Sequence, residues 1–404
     1  PSSDGLKKPA VKKDRSLRGS SGKKQGAQEG HKGVYLSVIS NPDHTRSHMH
    51  SDCNGCPYRE KCLDKACIKE IRHEIDVVVT ADVTAHNLIE VRECPLHGDV
   101  KTGSFPENIK ATVQYGKNLQ AMVVAFNTVG AVSINRTHEI LSSVFNIPLA
   151  TGTIKNMVTR CAESLKDTYE QIRLKMITLG LIHCDETGSR VDGKTCWVHV
   201  VSDQDYTYLT INRKRGQIGM DAANVLPHTQ GIIVHDCWGS YWKYPDVTQA
   251  ICCAHLLREL NGVIENHPEQ TWAVRFKKLL LDMKKVRDKA LLSNKNEVSY
   301  YHRHKFDMEY DSIIKTAYEE NPLPETPAKK RGRKKKGKVL NLICRLDNYT
   351  ESVCLFIKNL CVPFDNNQAE RDLRMVKVKT KFYGCFRSVD GAQEYVTILS
   401  YIGA

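Results

Sequence analysis

The run "LIHCDE", residues 181–186, marks the point where the hydrophobic period of the chain changes. Upstream, apolar residues recur at helical spacing. From here they gather in short β-rich runs, "TCWVHVVSD", "DYTYLTINR" and "GIIVHD", with a helix predicted at 216–226 before the last of them. "TQAICCAH" reads as a fifth strand. Long helical segments then fill 256–320, and "PFDNNQAERDLR", residues 363–374, opens a further helix with Asp365 or Asn366 as its N-cap. Three strands, a helix, two strands, a long helical insertion and a closing helix predict an α/β domain on a mixed sheet flanked by helices.

The acidic residues of this segment point to a chemistry. Asp185 is read as ending the first strand and Asp236 as ending the fourth; Thr187-Gly188 and Trp238-Gly239-Ser240 follow them. A carboxylate at a strand tip is held rigidly while its oxygens face a cleft. On the closing helix Asn366, Glu370 and Arg374 stand four residues apart and share one face, while Leu373 and Val376 turn to a core. Two aspartates from neighbouring strands and Glu370 from a helix would form a hard oxygen cage for Mg²⁺ or Mn²⁺. Two such ions ~3.5–4 Å apart activate the attacking oxygen of a phosphodiester displacement and stabilise the leaving one. Asn366 would orient ligand or substrate oxygens, and Arg374 would meet a phosphate or pin Glu370. Glu186, Asp192, Asp365 and Asp372 lie close by, but strand alternation turns Glu186 away from the face of Asp185. Taken alone, the helical stripe also fits ordinary exposed Glu–Arg pairs worth a few tenths of a kcal/mol.

The rest of the chain supplies the setting. Its 404 residues allow several domains, and 59 Lys and Arg against 46 Asp and Glu leave a formal net charge of +13. That surplus favours a polyanionic partner, nucleic acid before an anionic membrane surface, because no basic amphipathic helix stands next to an apolar anchor, and no apolar run is long enough to span a bilayer. With no secretory segment either, the chain reads as cytosolic. It starts without methionine and stops inside an apolar-periodic segment, as a piece of a longer protein would. Residues 1–33, rich in Lys, Ser and Gly, are expected to be disordered. Residues 34–106 form a cysteine module in which "CNGC" and "CPLH" set Cys53, Cys56, Cys94 and His97 at knuckle spacing for one structural Zn²⁺, with Cys62 and Cys67 as competing ligands. Residues 107–178 read as helical: "SINRTHEILSSVF" and "ATGTIKNMVTRCAESL", joined by "NIPL", have helix-turn-helix spacing. That would offer Thr151, Thr153, Lys155, Asn156 and Arg160 to a DNA groove, although many helical hairpins share the pattern without touching DNA. Residues 179–404 make the α/β domain, with its insertion at about 256–340. Within "KKRGRKKKGK", residues 329–338, eight of ten residues are basic, so Arg331, Arg333, Lys334, Lys335 and Lys336 must be solvated or lie on phosphate.

The stretches "HCDETGSRVDGKTCWVHV", "GIIVHDCWGSYWKY", "CCAHLLREL" and "PFDNNQAERDLRMVKVKTKFYGCFRS" resemble the transposases of the insertion sequence 66 family. The Lys-rich opening, the cysteine module and "RGRKKKGKVLNLICRL" fall where that family has comparable segments, so the resemblance spans nearly the whole chain. It implies a DDE transposase with an RNase H-like catalytic core. Asp185, Asp236 and Glu370 would then be the catalytic triad, and Arg371 would join Asn366 and Arg374 in contacting DNA. It further implies a C-x2-H element at Cys252 and His255, whose role the sequence leaves open. The partners implied are double-stranded DNA (element ends and target), further copies of the chain, and accessory proteins of the same element, all in the bacterial cytosol. Two departures stand out: no coiled-coil region precedes the basic segment, and His97 replaces a common cysteine. Two rivals remain, an RNase H-like nuclease that cleaves without joining and a catalytically silent DNA-binding remnant.

Overall fold

The computed structural model describes residues 114–323 and 337–404 without a break, together with scattered positions between 45 and 109. The chain divides into a small unit, 19–85, and a larger one that contains 86–404. In the small unit, Ser51–Cys53 form one turn of 3-10 helix, and the Cys56 N–H donates to the Cys53 carbonyl at 3.4 Å. Both cysteines are free thiols, Cys53 exposed and Cys56 half-buried. The other expected zinc ligands, Cys94 and His97, lie outside the described residues, as do Cys62, Cys67, residues 1–33, and Arg331, Arg333, Lys334, Lys335 and Lys336 of the basic run.

The larger unit starts with a short antiparallel ladder, β1 (Val91–Glu93) against β2 (Val100–Thr102). Four helices follow: α1 (Lys117–Asn127), α2 (Ile134–Val144), α3 (Thr151–Ser164) and α4 (Lys166–Thr178). The Ser133 hydroxyl caps α2 by accepting the Arg136 N–H at 3.1 Å. The α2–α3 pair is the hairpin expected from the sequence. Ile154 and Met157 of α3 pack with Val123, Leu141 and Leu149, while Val158 and Ala162 on its other flank pack with Ile398. α3 is therefore clasped on two sides. Asn156 and Arg160 lie on the exposed stripe between them.

Five strands make the central sheet: β3 (Leu181–Val191), β4 (Lys194–Ser202), β5 (Thr207–Asn212), β6 (Ile232–His235) and β7 (Thr248–Ile251). Their order is β5-β4-β3-β6-β7, antiparallel from β5 to β3 and parallel from β3 to β7. The expected order of elements holds. α5 (Gln217–Ala222) lies between β5 and β6, shorter than the predicted 216–226 because Asn224 adopts φ +53° and ends the helical path. Asp185 does not end its strand: β3 runs on to Val191 and turns into β4 through Asp192 and Gly193, both at positive φ. A two-residue Asp-Gly hairpin matches the twist of the strands it joins, so the ladder zips to its tip past Thr187-Gly188. At the start of β6, a Cβ on Gly231 would sit 2.7 Å from the carbonyl oxygens of Leu179 and Gly180, so glycine permits the close parallel entry of β3 and β6.

Among the described residues eight helices complete the unit: α6 (Cys253–Asn266), α7 (Thr271–Leu292), α8 (Tyr300–Glu320), α9 (Lys338–Asn348), α10 (Thr350–Lys358), α11 (Asn367–Asp372), α12 (Arg374–Tyr383) and α13 (Val389–Ile402). One face of the sheet buries Ile182, Cys184, Val201 and Ile233 against Ile172 and Met176 of α4. The other buries Val198, Val200 and Leu209 against Leu373, Val376 and Tyr395 of the closing helices. The insertion has its own core around Trp272, Phe276, Tyr310 and Phe356, which reaches the sheet at Val234, Ala250 and Ile251. Among the described residues no helix is long and apolar enough to cross a membrane.

Candidate active site

The parallel ladder between β3 and β6 sets the geometry of the acidic pair. His183 pairs with Val234, and Asp185 and Asp236 each follow two residues later, so both leave neighbouring strands on the same face. Glu186 points the other way, as expected. It is buried and accepts from the Arg215 guanidinium at 2.7 Å and from the Tyr241 hydroxyl at 2.9 Å. Arg215 itself is sandwiched between Trp197 and Trp238, 4.7 and 4.1 Å from the ring centroids.

Asp185 has far less support. Its Oδ1 accepts the Glu186 backbone N–H at 2.8 Å, and Asp236 accepts the Trp238 N–H at 3.0 Å. Burial pushes the Asp185 carboxyl up to about 7; the backbone hydrogen bond opposes this, and the charges of Glu186 and Asp236 add to it. A half-buried carboxylate beside a second one, with little donor support, suits a divalent cation.

Glu370 sits in the first turn of α11, which packs on β3 and β4. Its carboxylate accepts from Arg258 of α6 at 2.8 Å and lies 3.5 Å from His255 Nε2. Burial raises its pKa, but the Arg258 hydrogen bond and charge, helped by His255 and Lys377, outweigh that and leave the carboxyl below its ordinary range. The three acids share charged neighbours: Lys377 acts on both Asp185 and Glu370, and His255 feels both Glu370 and Asp236. They converge on one region without forming a closed cage. Among the described residues no three His, Cys, Asp or Glu side chains are grouped to hold a metal. In this structure Glu370 is paired with Arg258 of α6, while Asp185 and Asp236 stand on the neighbouring strands.

Several expected roles change with the geometry. Asn366 is 1 % exposed and makes no open contact. Its Oδ1 accepts from His183 Nδ1 at 2.7 Å, its amide donates to the Cys184 carbonyl at 2.7 Å, and its backbone N–H points at the Cys252 thiol at 3.1 Å. It is the rivet that joins α11 to β3, so a direct DNA contact from Asn366 is withdrawn. Asn366 does occupy the N-cap position, yet it is Asp365 that accepts the Asn367 N–H, at 3.1 Å. The partner of Glu370 is Arg258, not Arg374, because the helix that begins at Asn367 ends at Asp372 and restarts at Arg374. Arg374 and Arg371 are exposed, and Arg371 donates to Gln368. Lys155 is bound to Glu394 and donates to Thr159 at 2.8 Å, so its charge is already matched within the fold. Of the C-x2-H pair, Cys252 is buried in packing whereas His255 reaches Glu370. Arg258 and Lys377 escaped the sequence reading. The quoted run "CCAHLLREL" carries Arg258 one turn after His255, a spacing that could have revealed it.

Two aspartates on neighbouring strands thus stand near a helical glutamate, on a mixed sheet flanked by helices. Residues 112–394 match the transposase IS66 family, and the chain belongs to that family, whose members are transposases acting on DNA. A comparison with curated proteins found no match.

Proposed function

We propose that this chain is a DDE transposase with an RNase H-like core, which hydrolyses a phosphodiester at the end of its element and directs the freed 3′-hydroxyl onto target DNA. The observation that carries this reading is the emergence of Asp185 and Asp236 on one face of adjacent parallel strands, with the Glu370 helix across that face. Asp185 and Asp236 would hold the divalent ions, and Glu370 would join them by exchanging its ion pair with Arg258. When bound, the ions supply Lewis-acid activation and neutralise charge at the reacting phosphate. The chain's own residues do the rest. Asn366 fixes α11 to the Asp185 strand, and Arg258, once released from Glu370, offers its guanidinium to a phosphate.

Around this centre we place Asn156 and Arg160 of α3, exposed Arg371 and Arg374, and the basic run with Arg331, Arg333, Lys334, Lys335 and Lys336 on the DNA backbone. Cys53, Cys56, Cys94 and His97 would hold one structural Zn²⁺, with several copies of the chain assembling on the DNA. The deciding experiment incubates the protein with labelled element-end duplex, Mg²⁺ and a target plasmid. Joined products support the transposase. Cleavage without joining assigns a nuclease, and binding without cleavage assigns a silent DNA-binding protein.

A further inference from the structure

A second recess lies between α2, α3, α12 and α13, separate from the carboxylates, with a volume of about 640 Å³. That size falls in the range of sites for single small ligands. Four cations line it, Arg136, Lys155, Lys379 and Arg387, against one carboxylate, Glu394. The two inner amines already have partners inside the fold. Glu394 holds Lys155, and Lys379 donates to the Asn127 carbonyl at 2.8 Å and to its side-chain oxygen at 3.1 Å. The two outer guanidiniums are exposed, and no carboxylate pairs with either among the described residues. Both point to an anion supplied from outside.

Two further features narrow what that anion carries. Phe382, at the wall of the recess, leaves 70 % of its surface open, so its ring is accessible to a planar group entering the recess. Beside it the Tyr383 hydroxyl is buried without a hydrogen-bond partner, while the charge of Arg136 acts on it. A buried hydroxyl left without a partner costs about 1–3 kcal/mol, which a ligand oxygen or ring nitrogen would recover. An aromatic face, two free guanidiniums and an unmet hydroxyl together match the chemistry of a nucleotide: a flat base and a phosphate. A base lies flat on an aromatic ring only when it is not paired and stacked within a duplex, so this chemistry suits an unpaired nucleotide.

We propose that this recess binds an unpaired nucleotide of the DNA strand, with its phosphate on Arg136 and Arg387 and its base against Phe382. The assignment rests on the reading of the chain as a DNA transposase. The test measures binding of the full chain to a fully paired duplex and to the same duplex with a short single-stranded overhang, with deoxyadenosine monophosphate as competitor. Wild type should favour the overhang by about ten-fold or more. Phe382→Ala, or the double variant Arg136→Ala and Arg387→Ala, should reduce that preference to about two-fold or less. The double variant should also flatten the slope of log affinity against log salt by about 0.7 for each phosphate it no longer neutralises. All these side chains are exposed, so unchanged melting temperatures would confirm that the fold is kept. Equal affinity of wild type for the two DNAs, or a preference that survives both variants, overturns the proposal. A recess that binds the free mononucleotide but ignores the overhang also overturns it, in favour of a free-nucleotide site. Loss of the overhang effect alone, with end cleavage retained, would leave the transposase reading standing; failure to bind either DNA would remove both.

Discussion

Asp185 and Glu186 are consecutive residues of β3, yet the two faces of the sheet treat them in opposite ways. Glu186 lies deep beside the Arg215 guanidinium and the Tyr241 phenol, and though burial still raises its pKa, the hydrogen bonds of both partners and the Arg215 charge oppose that rise. Asp185 has one backbone N–H and another aspartate close by, and burial drives it towards protonation. A buried carboxylate with its own arginine is a structural element. One left in want of a cation is where a protein keeps chemistry in reserve. Strand alternation alone produced this division.

The sharpest way to break the comparison is to remove each charge without changing side-chain size. Asp185→Asn, Asp236→Asn or Glu370→Gln should each lower cleavage by about 10²–10³-fold or more, with duplex affinity changed less than about three-fold. Nicking and binding measured side by side decide this; a variant that nicks normally takes its residue out of the site. Glu186→Gln should do the reverse. It should keep most of the activity but lose about 2 kcal/mol of stability in urea unfolding, below the usual figure for breaking a buried pair because Arg215 remains partly solvated. A stable but inactive Glu186→Gln would reverse the roles given to the two faces.

A smaller effect concerns Arg258. If its ion pair holds Glu370 back from the aspartates, Arg258→Ala should lower the Mg²⁺ concentration for half-maximal binding by a few-fold, even if phosphate binding suffers. Titration calorimetry of the protein without DNA isolates the first effect. Unchanged metal affinity would make Arg258 a bystander.

Much of this was legible before any coordinates. The shift from helical period to β-rich runs at residue 181 gives the element order, because buried strands leave a compositional trace that survives without an alignment. Alternation separated Asp185 from Glu186 for the same reason. What escaped was decided by tertiary contact. The hairpin at Asp192-Gly193 was overlooked because Thr187-Gly188 offered an earlier turn, and only the β4 partner shows that the strand runs past it. Asn366 looked like a site residue because nothing local reveals that His183 and Cys184 lie opposite it. Lys155 looked free for DNA because Glu394, its partner, is 239 positions away. Helix and strand character are written locally; which charge meets which is not.

Lys379 carries the comparison to a buried cation, where the sign of the effect is most informative. The residue is 5 % exposed, and its ammonium lies over Tyr395 at 4.0 Å and Tyr383 at 4.8 Å, with Asn127 accepting its protons. Burial pushes its pKa down to about 7, while the rings and amide oxygens favour the charged form. With the folded value below the ordinary 10.5, the unfolded chain binds a proton that the folded chain releases between those limits. Stability should therefore rise with pH above about 7 and be flat below it as far as this group is concerned, by about 2 kcal/mol between pH 7 and 9. Lys379→Met should remove that rise in unfolding curves taken across this range, since methionine fills the same space without a titrating group. A wild-type profile already flat from pH 7 to 9 would show that the two rings and an asparagine offset burial in full. Lys379 would then belong with Glu186, as a charge with partners inside the fold, rather than with Asp185.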